Sequence, residues 1–118
     1  MINLKWIKCT EDTWCSFFNV NLDHEHFNGF EGVYIIWYFQ TPAKVVYVGQ
    51  GIIKERLLSH RKDPNITQYT DKDMRVTWAK VDYDYRDGIE RYLIDRWQPL
   101  QNIGKPQSKP IPVSSPWD

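Results

Sequence analysis

Apolar and polar positions change period several times along the chain, and each change marks an element. Residues 32–39 read Gly-Val-Tyr-Ile-Ile-Trp-Tyr-Phe, a β-branched and aromatic run followed by Gln40-Thr41-Pro42-Ala43. Such a run, bounded by turn residues, predicts a strand. Residues 44–49 (Lys-Val-Val-Tyr-Val-Gly) predict a second, and the short connection makes an antiparallel hairpin the natural pairing. Strand alternation places Val33, Ile35, Trp37 and Phe39 on one face and Tyr34, Ile36 and Tyr38 on the other, with Tyr47 sharing a face with Val45.

The period then lengthens. In residues 52–62, Ile53 and Leu57 recur at helical spacing and Leu58 widens the stripe, with Asp63-Pro64 as the stop. Arg56 and His60 lie one turn apart on one face of this helix. Residues 65–74 are polar and read as loop or short helix, and residues 75–83 read as a third strand. Residues 86–98 predict a second amphipathic helix with Ile89, Leu93 and Trp97 toward the core and Glu90 at the edge of that stripe. Pro99 ends it, and from residue 103 the chain is proline-rich and extended. Before residue 32 the pattern is mixed. A short helix or turn near 11–18 and a strand-like stretch near 17–22 are expected, with Trp6, Trp14, Phe17, Phe18, Val20 and Leu22 available for packing.

These elements predict an α/β fold: a small, mainly antiparallel three-stranded sheet, hairpin central, flanked by helices. The expected organisation is an N-terminal segment, 1–31, packing on the core, a main domain at 32–102, and a proline-rich arm at 103–118. With 118 residues there is room for one compact domain. No stretch approaches the ~20 apolar residues of a membrane helix, and the first residues lack signal-peptide order, so no membrane partner is expected. Cys9 and Cys15 have no zinc-like spacing; a disulfide between them is one alternative, and a reduced pair in a cytoplasmic setting is the expectation.

Formal net charge is zero, which argues mildly against tight nonspecific binding of nucleic acid. The positive charge is local: Lys54, Arg56, Arg61 and Lys62 lie close together against the single acid Glu55. His24-Glu25-His26 alternates like metal ligands on a strand but has no third ligand at recognisable spacing. Asp87 and Glu90 have the spacing of an N-terminal capping pair, the bland reading of Glu90.

The polar residues that remain fall in a distinctive order. Gly32-Val33-Tyr34 and Tyr47-Val48-Gly49 on the hairpin are followed by Arg56 and His60 on a helix, Glu90 on the next helix, and Asn102 in Pro99-Leu100-Gln101-Asn102. This order resembles the GIY-YIG nuclease superfamily, with Val in place of Ile in both tripeptides. The resemblance covers residues 32–102. It implies a metal-dependent endonuclease acting on DNA with a single divalent cation, Mg²⁺ or Mn²⁺, and leaving 5′-phosphate and 3′-hydroxyl ends.

On that reading Glu90 is the metal ligand and Arg56 stabilises the phosphate with its permanently charged fork. Tyr34 is the expected general base and Tyr47 the second candidate, each needing a phenol depressed by nearby positive charge. His60 orients Tyr34 or accepts its proton. Lys54, Arg61 and Asn102 are the expected substrate-binding residues, Asn102 by tying the loop after the last helix to the site or by holding Glu90. Specificity is expected to come from a homodimer or a partner protein. The alternative is a noncatalytic nucleic-acid- or protein-binding module on the same fold.

Overall fold

A computed structural model describes residues 1–117. Strand β2 (Glu31–Tyr38) and strand β3 (Lys44–Ile52) form the expected antiparallel hairpin, and β4 (Met74–Lys80) pairs antiparallel with the other side of β2. A fourth strand, β1 (Cys15–Ser16), joins β4, so the sheet order is β1-β4-β2-β3 rather than three-stranded. Two residues are too short to show a period in sequence. Their place is fixed by neighbours in the chain: Ile7 N–H donates to the Trp78 carbonyl (2.9 Å) and Phe17 N–H to the Met74 carbonyl (3.0 Å).

The helices are α1 (Ile53–His60), the short α2 (Pro64–Thr67) and α3 (Tyr83–Trp97). Asp63, expected only as a stop, caps α2 by accepting from Asn65 N–H at 3.0 Å, with Pro64 at the first helical position. Helix α3 starts earlier than expected, with Asp82 as its N-cap residue. Asp87 and Glu90 therefore lie inside the helix and are not a capping pair. The chain leaves α3 through Gln98 in the left-handed region (φ 46°), just before Pro99.

The sheet separates two apolar layers. On one face Tyr34, Ile36 and Val46 pack against Ile53 and Leu57 of α1 and against Phe17, Leu22 and Phe27 of the N-terminal segment. On the other, Val33, Ile35 and Trp37 pack against Ile89 and Leu93 of α3, with Trp97 partly buried beside them. Phe39 lies beyond the end of β2 and is largely exposed, so it leaves the face that alternation assigned to it.

Alternation also fails once in β3. The register slips between Ile36 and Trp37, pairing Ile36 with Tyr47 but Trp37 with Val45. This β-bulge puts Val46 and Tyr47 on the α1 side, while Val45 and Val48 face α3. Tyr47 thus joins the face of Tyr34 and is separated from Val45.

Cys9 and Cys15 form a disulfide with Cα atoms 5.1 Å apart, in place of the reduced pair expected. Cys9 N–H donates to the Thr13 carbonyl at 2.8 Å, and this turn returns the chain toward Cys15. The extended C-terminal segment packs on the body: Val113 is buried in the α3 layer and Ile2 makes a parallel bridge to it. Gly88 makes this approach workable, because a Cβ there would collide with Ile111 and the Lys109 carbonyl. Among the described residues, no helix is long and apolar enough to cross a membrane.

Candidate active site

The site forms around β3, an outer strand of the sheet, whose two faces meet α1 and α3. On the α1 face, Tyr34 is completely buried at the centre of a short hydrogen-bond chain. Its hydroxyl lies 2.6 Å from His60 Nε2 and accepts from Arg56 Nε at 3.3 Å. Arg56 and His60 reach the same phenol because they sit one turn apart on α1. Tyr47 stacks beside Tyr34 with ring centroids 6.2 Å apart and lies 4.5 Å from the His60 ring.

Gly49 makes this chain sterically feasible. Gly49 opposes Tyr34 in register, and a Cβ on it would overlap the Tyr34 hydroxyl. The glycine is interior to β3, which runs on to Ile52, so it marks close approach rather than a strand end.

Burial sets the protonation of this group. Desolvation raises the Tyr34 phenol well above its ordinary value, against the opposing pull of the Arg56 charge. Burial, with the Arg56 charge as a lesser cause, lowers His60 from 6.5 to about 4. At neutral pH the pair is therefore a protonated phenol hydrogen-bonded to a neutral imidazole. The expected depressed phenol is not found, because desolvation outweighs the single guanidinium.

On the α3 face, Gln50 follows Gly49 and reaches Glu90. Its Nε2 donates to Glu90 Oε2 at 2.9 Å and to Asp87 Oδ1 at 2.7 Å. The Glu90 carboxyl is raised, first by burial and then by neighbouring Asp87, while the Gln50 hydrogen bond and Arg56 pull it down. No ion pair among the described residues involves Glu90 or Arg56.

Asn102 closes the outer side of β3. Leu100 and Gln101 N–H donate to the carbonyls of Val45 (3.1 Å) and Val46 (2.9 Å). The Asn102 side chain then continues as a surrogate strand, accepting from Val48 N–H (3.0 Å) and donating to Val48 C=O (2.8 Å). Its role is to tie the post-α3 segment to the sheet edge, with no bond to Glu90.

A polar cavity of about 310 Å³ joins these parts, with Tyr47, Arg56, His60, Glu90, Asn102 and Gly104 among its lining. Five of the eight expected site residues line it, and Tyr34 lies behind them. Lys54 and Arg61 do not. Lys54 pairs with Asp23 at the surface (3.0 Å). Arg61 donates to the backbone carbonyls of Phe17 (2.9 Å) and Val20 (2.8 Å), so it anchors the N-terminal segment on α1. Gln50 and Asp87 are the additions. The signal for Gln50 was its position directly after Gly49, where alternation turns it toward the face opposite Tyr34.

His24-Glu25-His26 forms a 3₁₀ turn rather than a strand. His24 Nδ1 accepts from His26 N–H and His26 Nε2 from Trp78 Nε1, each at 3.0 Å. Among the described residues, no three His, Cys, Asp or Glu side chains come together as a metal-ligating group. Glu90 nonetheless suits a single hard cation that retains its own waters: it is a partly buried carboxylate without a cationic partner, with Asp87 and the Gln50 amide beside it.

No family model, curated protein or solved structure matches the chain.

Proposed function

We propose that this chain is a divalent-metal-dependent endonuclease hydrolysing DNA phosphodiester bonds, as its resemblance to the GIY-YIG superfamily implies. The observation that carries the reading is the convergence on one cavity of Tyr47, Arg56, His60 and Glu90, from β3, α1 and α3, over the buried Tyr34 hydroxyl. A purely structural surface has no need to place a guanidinium and an unpaired carboxylate in one cavity.

Each side chain has a role in this proposal. Glu90, with Asp87 beside it, would hold Mg²⁺ or Mn²⁺, and the bound cation supplies Lewis-acid stabilisation of the phosphate. Arg56 turns its fork to the phosphate oxygens. As Arg56 engages phosphate, its hydrogen bond to Tyr34 is released and the phenol oxygen is freed. Tyr34 accepts the proton of the attacking water while its own proton passes to His60, so the phenol is never left as a free anion. Tyr47 flanks the water, and Asn102 keeps the cavity wall in place.

The test is cleavage of a panel of duplex, branched and single-stranded DNA and of RNA with Mg²⁺ or Mn²⁺. Glu90→Ala is expected to abolish cleavage with the fold intact, and Tyr34→Phe to slow it by about 10²–10⁴-fold. Undiminished Mg²⁺-dependent cleavage by Glu90→Ala overturns the assignment. The deep burial and protonated rest state of Tyr34, with zero net charge, favour one competing reading: a noncatalytic binding module. Nucleic-acid binding without cleavage under any metal would select it.

A further inference from the structure

We infer that Gln50 is the positioning residue of this site, holding the Glu90 carboxylate in the orientation that takes up a divalent cation. The inference rests on the endonuclease reading above.

The local sequence Gly49-Gln50-Gly51 carries a single side chain across the edge strand where the two halves of the site meet. Gly49 leaves the α1 face open to the Tyr34 hydroxyl, and a Cβ at Gly51 would press on the Arg56 side chain. Between them, Gln50 pairs with Val33, whose side chain belongs to the α3 layer. Gln50 therefore reaches the helix that carries Glu90, while its two neighbours clear space for Tyr34 and Arg56.

One amide nitrogen then makes two hydrogen bonds, to Glu90 Oε2 (2.9 Å) and Asp87 Oδ1 (2.7 Å). A primary amide has two N–H donors, so each carboxylate takes one. Asp87 and Glu90 are three residues apart on α3, a spacing at which like charges repel. Gln50 bridges them without adding charge. It fixes Glu90 in one rotamer and leaves the charge of both carboxylates uncancelled, whereas a Lys or Arg in its place would neutralise the site. Ordering a ligand side chain in advance lowers the entropy lost on binding. A partner that orients a metal ligand typically contributes about 10–100-fold in metal affinity or activity.

The experiment measures Mn²⁺ binding directly, by isothermal titration into the full-length protein, alongside Mn²⁺-dependent cleavage. Gln50→Met keeps the length of the side chain and removes both donors. Wild type is expected to bind one Mn²⁺ and Glu90→Ala none. Gln50→Met is expected to bind about 10–100-fold more weakly with an unchanged melting temperature. The Mn²⁺ concentration for half-maximal cleavage should shift by the same factor, and cleavage at saturating Mn²⁺ should return close to wild type. A merely structural role would lower stability without that separation.

If Gln50→Met does not fold, Gln50→Ala, at this partly exposed position, is read in the same way. Binding by a folded Gln50 variant within about twofold of wild type, short of the expected 10–100-fold loss, overturns the inference. If wild type binds Mn²⁺ but cleaves nothing, the endonuclease reading falls and the ratio of affinities still decides the role of Gln50. Absence of Mn²⁺ binding by wild type removes both.

Discussion

Single atoms govern the core of the candidate site. The missing Cβ of Gly49 is the space occupied by the Tyr34 hydroxyl, so Gly49→Ala must push the phenol or the strand aside. Overpacking of this kind costs about 1–3 kcal/mol. Urea denaturation should show that loss, and cleavage should fall with it because Tyr34 leaves His60. His60 gives a pH signature. Its value is about 4 in the folded chain against an ordinary 6.5, so between these limits the unfolded state binds the extra proton. Stability is therefore expected to fall as pH drops from 6.5 toward 4. His60→Gln should remove that contribution, which denaturation midpoints across the range would check. Wild type and variant sharing one pH dependence would refute it.

At the scale of elements, the edge of β3 is the decisive feature. Edge strands usually need protection from unwanted pairing, and here the segment after α3 supplies it. Leu100 and Gln101 use their backbone, and Asn102 uses its side chain to satisfy both polar groups of Val48. Asn102→Ala leaves that N–H and C=O without their partner, at an expected cost of about 1–3 kcal/mol. Hydrogen exchange at the Val48 amide should accelerate in this variant more than at amides in β4. Equal acceleration in both strands would mean that Asn102 acts on global stability alone.

The whole molecule is closed by its two ends. The N-terminal segment runs beside β4 and is held on α1 by Arg61, while the C-terminal segment crosses α3 and bridges to Ile2. Both ends contribute to the core. Val113 is almost fully buried against the α3 layer although it lies far along a proline-rich stretch. Val113→Ala is expected to destabilise the entire fold by about 1–3 kcal/mol, counting roughly 0.8 kcal/mol per buried methylene plus the cavity left behind. Cooperative unfolding with a lowered midpoint would report this. An unchanged midpoint would make the C-terminal segment an independent appendage.

Local periodicity was enough to mark β2, β3, β4, α1 and α3, because each spans several repeats of its own spacing. The order of Tyr34, Tyr47, Arg56, His60, Glu90 and Asn102 along those elements was likewise legible, and helix spacing alone put Arg56 and His60 on one face. Four things depended on contacts between distant segments. Strand β1 has too few residues to carry a pattern, and the bulge that turns Tyr47 toward Tyr34 breaks the alternation from which its face was read. Protonation of Tyr34 and His60 follows from how completely the folded chain excludes water, which residue spacing does not encode. Arg61 looked like a phosphate ligand by charge alone and became a backbone anchor because Phe17 and Val20 present their carbonyls to it. The sequence by itself therefore determined the longer elements and the residue types they carry. Tertiary structure decided which faces meet, which groups are desolvated, and that Gln50 stands between the two carboxylates.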